Sequence, residues 1–278
     1  MKKLLWIYNI HKSFLRIGKL WCEIFVGDMS VFITHSGISV NFYKEKEMKY
    51  KNIVKGKFLE RPNRFISYCE IDNNIEKVHV KNTGKCKELL IPNCVVYLEE
   101  SDNPNRKTKY SLISVQKNDR LINMDSQVPN KVVYEGLINN KIVLPGLDEE
   151  IIHIKPEKTY ENSRFDIYLE TENKKVFIEV KGVTLEENDI VMFPDAKTER
   201  GVKHINELIK ASKDGYLSYI IFVVQMSDVK YFTPNDKMHK ELGDALRNAK
   251  SNGVNILAYD CNVTSDTIEI KDEVKVIL

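Results

Sequence analysis

The hydrophobic positions fall into short alternating runs in the first half of the chain and longer buried runs in the second. Arg64 to Ile71, Lys77 to Lys81, Val95 to Glu99, Tyr110 to Val115 and Leu121 to Met124 read as strands, divided by the turn sequences DNN, NTG, IPN and SDNPN. Five short strands within residues 48–125 predict a small barrel of the OB type. Residues 126–160 are broken by Pro129-Asn130, Pro145-Gly146 and Pro156, with VVYEGLI as a short helix between them. Beyond, Tyr219 to Val224 and Val254 to Tyr259 read as buried strands and Glu241 to Lys250 as a helix closed by Gly253. Thr198 to Lys213 is amphipathic, with Val202, Ile205, Leu208 and Ile209 on one face and Gly215 just past its end. Residues 126–278 are therefore expected to form an α/β domain around a mixed sheet.

Residues 1–47 carry no clear period. LLWIYNI follows two lysines but is short and lacks a cleavage site, and EIFVGDMSVFITHSGISVNFY is compatible with strands. Lys44 to Glu47 would be encoded by an all-purine tract just before Met48, as a ribosome-binding site translated in frame would be. Met48 is thus the expected natural start, with residues 1–47 an extension outside the natural product. Mass spectrometry of the native N-terminus tests this, and a peptide from residues 1–47 contradicts it.

Composition sharpens the picture in three ways. The 278 residues are 42% hydrophobic, with no run long or apolar enough to span a membrane. The formal net charge is only +2, yet residues 48–125 hold 15 basic against 10 acidic residues, so the basic character is concentrated in the expected barrel. The five cysteines, at 22, 69, 86, 94 and 261, form no CxxC pair, which argues against a disulfide framework or zinc ribbon and for a reducing cytoplasm. Only 8 of the 42 basic residues are Arg, and Arg61, Arg64, Arg106, Arg164 and Arg200 fall inside the motifs below.

In SRFDIYLETENKKVFIEVKGVTL, Asp166 lies on one apolar run and Glu179 and Lys181 on the next. Strand alternation puts Glu179 and Lys181 on one face, opposite Ile178 and Val180. A turn at Thr171 to Lys175 would bring Asp166 to the same spot. Asp166, twelve residues, then Glu179-Val-Lys181 matches the PD-(D/E)xK nuclease pattern. Asp166 and Glu179 would hold Mg²⁺ (or Mn²⁺), with Lys181 placing the attacking water or offsetting developing charge and Glu157 as a further catalytic acid. A merely solvated strand would show the same E-x-K. In FPDAKTERGVKHINEL, Thr198 caps a helix whose first turns carry Glu199, Arg200, Lys203 and His204, an anion site at a helix N-terminus. The plainer alternative is i,i+4 pairing of Glu199 with Lys203 and Lys203 with Glu207. Gln225, ending YIIFVVQ, either reaches a site at the sheet edge or caps the strand.

The barrel carries a second constellation. Asn82, Thr83 and Gly84 form a turn that, with Lys85, suits a phosphate. Arg106, Lys107 and Lys109 with Tyr110, and Arg61 and Arg64 with Phe65, combine charge with an aromatic platform, the mixture by which OB barrels hold nucleic acid. Ordinary lysine-rich turns remain the alternative.

Together RPNRF, HVKNTGKCKELL, SDNPNRKTKYSL, NSRFD, IEVKGVTL, MFPDAKTERGVKHINEL and GVNILAY, in that order, resemble the sugar fermentation stimulation protein A (SfsA) family from about Met48 to the end. The resemblance implies an OB-like β-barrel at 48–125 and a PD-(D/E)xK nuclease-like α/β domain at 126–278. It implies a DNA-binding protein (single- or double-stranded DNA) linked to regulation of sugar utilisation genes, with no membrane partner. An active nuclease and an RNA-binding or interaction module stand as alternatives. It also implies Asp166, Glu179 and Lys181 as the core with Glu157 upstream. Arg61, Asn63, Arg64, Asn82, Thr83 and Gly84 match the family's N-terminal blocks and Thr198, Glu199, Arg200, Lys203 and His204 its TERGxKH block; the expected nucleic-acid contacts are Arg61, Arg64, Asn82, Thr83, Gly84, Lys85, Arg106, Lys107, Lys109, Arg164, Arg200, Lys203 and His204. Two positions depart from the family pattern: Glu161 stands where Gly is common, and Cys86 replaces a larger apolar residue.

Overall fold

The computed structural model describes residues 48–278 and, before them, the backbone of three strands. These are β1 (Trp21–Phe25), β2 (Met29–Thr34) and β3 (Gly37–Phe42), an antiparallel meander within a unit of its own, Met1–Lys46. Apart from these strands, the expected extension before Met48 lies outside the described residues.

The barrel is built from β4 (Ile53–Asn63), β5 (Ile66–Ile71), β6 (Asn74–Val80), β7 (Val95–Glu100) and β8 (Tyr110–Lys117), in the order β6-β5-β4-β7-β8, and β6 pairs in parallel with β8 to close it. Full closure leaves no open edge. The expected count of five holds, but for a different set of strands. Leu121 to Met124 corresponds to β9 (Arg120–Asn123), which only flanks β8, whereas the fifth barrel strand is β4, outside the strands the pattern predicts. Lys55, Lys57 and Pro62 dilute the apolar alternation of β4. Gly56 also lies on it, where a Cβ would stand 2.9 Å from the Glu70 carbonyl oxygen.

The second domain begins with α1 (Pro129–Ile138), opened by a proline at its first turn, where no N–H is needed. It continues through β10 (His153–Tyr160), β11 (Ser163–Glu170), β12 (Lys175–Val183), β13 (Leu185–Glu187), β14 (Ile190–Phe193), α2 (Glu199–Lys213), β15 (Leu217–Val224), β16 (Tyr231–Pro234), α3 (Asp236–Ser251, broken at His239), β17 (Val254–Val263) and β18 (Ile268–Glu273). The main sheet runs β10-β11-β12-β15-β17-β18, parallel through β12, β15 and β17 and antiparallel on both flanks, the mixed sheet expected. Val176, Ile178 and Val180 pack with Val132, Val133 and Leu137 of α1, while Phe177 and Val183 join the core of α2 and α3 with Leu208 and Leu242. Glu179 and Lys181 therefore belong to the α2 side of the sheet.

The two domains are joined by a buried polar seam. The Gln225 backbone carbonyl accepts the Asn123 N–H at 2.9 Å, and its side-chain amide donates to the Asn123 carbonyl (3.2 Å), Asn123 Oδ1 (3.0 Å) and the Asp125 carbonyl (3.0 Å). Of the two roles open to Gln225 in the sequence, the amide takes the capping one, across the domain boundary. Gln225→Ala strands these acceptors in the interior and is expected to cost about 2 kcal/mol, read as a lowered urea midpoint.

Candidate functional site

The pairing of β11 with β12 runs from Glu170↔Lys175 to Ile167↔Ile178 and stops there. The next inward N–H on β12, that of Val180, is taken instead by a side chain: Asp166 Oδ2 accepts it at 2.8 Å. Asp166 Oδ1 accepts the Asn130 amide at 2.8 Å, from the first turn of α1. Burial raises the Asp166 pKa above the ordinary aspartate value and the neighbouring Glu179 adds to this, with the bonds from Val180 and Asn130 and the charge of Lys181 only partly opposing.

Glu179 is 1% exposed. Its Oε1 accepts the Lys181 ammonium and lies 2.5 Å from His204 Nδ1, while Oε2 is buried with no partner. Burial is the largest influence on this carboxyl and pushes its pKa up, but the His204 hydrogen bond and the Lys181 charge outweigh it and hold the group below the usual glutamate range. Arg200 Nε is 3.4 Å from His204 Nε2, so an imidazole that accepts from Arg200 at Nε2 donates to Glu179 from Nδ1. Thr198 caps the helix as expected, its Oγ1 accepting the Gly201 N–H at 3.0 Å. Thr198→Ala is expected to lower stability by about 1 kcal/mol, read by thermal unfolding.

The anion-site expectation is thereby divided. His204 is buried and faces Glu179 rather than an incoming phosphate, whereas Arg200 and Glu199 are exposed. Lys203 is exposed and donates to the Asn162 carbonyl at 2.8 Å, binding the β10–β11 turn to α2. Glu157 stands opposite Asp166 in the β10–β11 register, but at φ +55° it leaves the ladder and its carboxylate pairs with Arg164 at 3.3 Å. It is not brought into the Asp166–Glu179 pair. Among the described residues no set of three or more His, Cys, Asp or Glu side chains is grouped to hold a metal ion.

In the barrel, Arg61 is spent internally. Its guanidinium donates to the carbonyls of Gly84 (2.7 Å), Lys85 (3.0 Å), Arg64 (2.7 Å) and Asn82 (2.5 Å), so the expected nucleic-acid contact instead braces the 82–85 turn. Asn82 Oδ1 accepts the Gly84 N–H at 2.8 Å, and its amide donates to the Met124 carbonyl at 3.1 Å. Asn63 Oδ1 likewise accepts the N–H groups of Phe65 and Ile66, at 2.9 and 3.1 Å. A Cβ on Gly84 would lie 2.3 Å from Asp195 Oδ2, so a larger residue here would displace the Asp195 side chain on the loop before α2. A pocket of about 130 Å³ separates Asn82, Thr83 and Gly84 from Gly182, Thr184 and Phe193, bringing the turn to the residue that follows Lys181. Thr83, Lys85, Arg64 and Lys107 are exposed; Arg106 donates to Ser111 Oγ at 3.1 Å, and Lys109 pairs with Glu100 at 3.0 Å over the Tyr110 ring.

Asn130 and Gly182 were not anticipated as site residues. Asn130 follows the helix-opening Pro129, which signals only a boundary. At Gly182 a Cβ would meet Gln225 Oε1 at 2.5 Å, a contact that no local pattern announces.

Comparison with known proteins gives a consistent result. Residues 59–124 match the family described as "SfsA N-terminal OB domain" and residues 127–267 that described as "Sugar fermentation stimulation protein RE domain". A sugar fermentation stimulation protein homolog of Clostridium beijerinckii is 62% identical over 231 residues, 83% of this chain and 100% of the relative. One from Ruminiclostridium cellulolyticum is 59% identical over 229 residues, 82% and 99% respectively. Among solved structures, Pyrococcus furiosus SfsA in complex with Ca²⁺ superposes with a TM-score of 0.74 at 29% identity, covering 84% of this chain and 99% of that one.

Proposed function

This chain belongs to the sugar fermentation stimulation protein (SfsA) family, and from that premise we propose that it binds DNA and carries a PD-(D/E)xK-type, divalent-metal-dependent nuclease site. The observation that carries this reading is the convergence of Asp166, Glu179 and Lys181 on one side of the sheet, with one Glu179 oxygen buried and unpartnered. Hard carboxylate oxygens, one of them lacking any donor, fit Mg²⁺ or Mn²⁺, and the relative from Pyrococcus furiosus is described with Ca²⁺. Asp166 and Glu179 would hold the cation, which supplies charge neutralisation and a more acidic water. Asn130 and the Val180 N–H fix the Asp166 carboxylate, His204 fixes Glu179, and Lys181 places a cation where negative charge develops on phosphorus.

On this reading the exposed basic groups Arg64, Lys85, Lys107, Lys109, Arg164, Arg200 and Lys203 and the half-buried Arg106 contact the nucleic-acid backbone, with Thr83 at the turn. Arg61, Asn82, Gly84 and His204 shape the surface from within. The relatives' name ties the family to sugar fermentation, and a role in regulating sugar utilisation genes is part of this proposal. Binding is expected to weaken with salt, each neutralised phosphate adding a log–log slope of about 0.9. A salt-independent affinity in a filter-binding titration contradicts it.

A second reading, binding without turnover, is favoured by one observation: both Asp166 oxygens and Glu179 Oε1 are already bonded within the protein. Incubation with single- and double-stranded DNA and RNA in Mg²⁺, Mn²⁺ or EDTA, beside Asp166→Ala, separates the readings. Metal-dependent cleavage lost in Asp166→Ala supports the nuclease. Binding without cleavage supports the regulator, and cleavage unchanged in the variant defeats the site assignment. Selective retention of RNA supports the RNA-binding alternative.

A further inference from the structure

The small pocket between the 82–84 turn and the end of β12 is lined by groups that the metal-centre chemistry does not use, and its donors are spent inside the protein. The Gly84 N–H goes to Asn82 Oδ1 at 2.8 Å, the Asn82 amide to the Met124 carbonyl at 3.1 Å, and the Ser126 hydroxyl to the Lys81 carbonyl. The Gln225 amide nitrogen turns away to Asn123 and Asp125, whose three acceptors fix the direction of the side chain. Its Oε1 therefore faces Gly182, where a Cβ would stand 2.5 Å from it, and accepts no hydrogen bond among the described residues, although Gln225 is only 1% exposed. Across the pocket Asp195 Oδ2 sits against Gly84, and this carboxylate too has no partner among the described residues. The buried Thr184 adds a hydroxyl in the same condition. What remains for a ligand is a set of acceptors, and an unmet acceptor at the depth of Gln225 is costly unless something donates to it.

The walls between these acceptors are apolar: Val183, Leu185, Met192 and Phe193, the last packed on Phe222 with ring centroids 5.5 Å apart. A volume of about 130 Å³ is the liquid share of about four waters, well below the pockets that enclose drug-sized ligands, so the room is that of one flat ring. Lys85 follows Gly84 and Lys197 lies two residues after Asp195, both exposed, so basic groups flank the acceptors. A carboxylate beside a phosphate path weakens binding of every nucleic acid except where a base donor meets it, which makes Asp195 a selective element. Aspartate accepting from the cytosine amino group is a standard base contact, and a base lifted from its stack is read by such bonds on its edge and by apolar walls on its faces. Thymine would bring carbonyl oxygens to the same acceptors. A hard cation would also seek these oxygens, but the four apolar walls offer it no further ligands.

We infer that this pocket takes one unpaired base bearing an exocyclic amino group, cytosine being the smallest, and so gives the protein a base preference. The inference rests on the proposed nucleic-acid binding and names the selectivity of that same site. The pocket lies at the end of the strand that carries Glu179 and Lys181, one residue beyond the ammonium, so a base held there belongs to a nucleotide near the scissile phosphate. Gln225 serves the domain seam with its nitrogen and the pocket with its oxygen.

The test is fluorescence anisotropy of the full chain at neutral pH with a labelled oligodeoxycytidylate and an oligothymidylate of equal length, in EDTA and again in Ca²⁺, with the oligonucleotides checked to be intact. The variants are Asp195→Asn, at an exposed position where it turns an acceptor into a donor, and Glu187→Gln, an exposed acid off the pocket that controls for charge alone; circular dichroism checks the folding of each. The wild type is expected to hold the cytidylate roughly tenfold more tightly, the scale of one base-edge contact. Asp195→Asn is expected to bring the ratio of the two affinities to within about twofold, and Glu187→Gln to leave it unchanged. No preference for cytidylate in the wild type, or a ratio unchanged in Asp195→Asn, overturns the pocket, while binding of either oligonucleotide leaves DNA binding standing. Failure to bind either one in both conditions overturns both readings. Calorimetric Ca²⁺ binding that is lost in Asp195→Asn and kept in Asp166→Ala overturns the base pocket in favour of a cation site.

Discussion

Lys181→Ala is expected to lower metal-dependent DNA cleavage by roughly a thousandfold while leaving DNA affinity nearly unchanged. The Lys181 side chain is 18% exposed and lies against Glu179, on the sheet face that also receives α2, so its ammonium belongs to the site rather than to the general basic surface. Removing a fixed cation from a desolvated site costs the transition state far more than the ground state, because the charge it offsets appears only as the phosphorus–oxygen bonds reorganise. The fall is therefore expected in kcat, with KM little altered. Lys181→Arg keeps the charge but changes its shape and reach, and is expected to recover only part of the rate. Equal cleavage by wild type and Lys181→Ala removes the residue from the chemistry.

The second large effect is on stability. Glu179 is a buried carboxylate whose ionised form is held by Lys181 and His204, and His204→Ala withdraws one of those partners without withdrawing the charge. Loss of a partner from a buried ionic cluster is expected to cost about 3 kcal/mol. The pH dependence follows from the sign of the shift. The Glu179 pKa is depressed in the folded chain, so its contribution is present above the unfolded value near 4.5 and is lost as pH falls through the lower folded value. The gap between wild type and His204→Ala in urea melts is thus widest near neutrality and narrows below about pH 4.5. Asp166 carries the opposite sign. Its raised pKa makes the ionised form costly to the cation-free fold, so its favourable contribution is present at low pH and lost as pH rises through the folded value. Asp166→Asn is expected to stabilise the cation-free chain at neutral pH and to have little effect in strong acid. A gap for His204→Ala that is constant from pH 7 to pH 3 contradicts the assignment of the Glu179 charge.

The centre was legible because its geometry is local. Strand alternation puts Glu179 beside Lys181, and a single tight turn returns Asp166 to them, so spacing alone carries the arrangement. What was not legible depends on packing between distant elements. His204 sits 25 residues from Glu179 and meets it only because α2 lies across β12. Asn130 is 36 residues from Asp166 and reaches it only because α1 packs on the sheet face opposite α2. Arg61 looked like a phosphate contact for the same reason that it proved structural: a planar fork of donors suits carbonyl oxygens as well as phosphate, and the 82–85 turn supplied the carbonyls first. Glu157 had the right register and the wrong surroundings, since Arg164 claims its carboxylate. The barrel's closure was read correctly in kind while one strand was exchanged for another. Lysines on the outward positions of β4 mask a strand whose inward positions, Gly56 and Phe58, are few and unequal in size.

The tie between the domains matters for function as well as stability. Gln225 ends β15 next to Gly182 and holds Asn123 and Asp125, so the strand that carries Lys181 and the end of the barrel are fastened at one point. If the proposed function holds, a nucleic acid on the barrel would be kept at a fixed offset from the carboxylates, and loosening Gln225 is expected to blunt cleavage as well as stability.

The most direct measurement is calorimetric titration of Mn²⁺ into the wild-type chain and into Asp166→Asn at neutral pH, without nucleic acid. The substitution keeps the size and much of the hydrogen bonding of Asp166 but removes a ligand charge. Saturable Mn²⁺ binding by the wild type that is lost in Asp166→Asn is the expected result; no saturable binding by the wild type, or equal binding by both, contradicts a metal centre at Asp166 and Glu179.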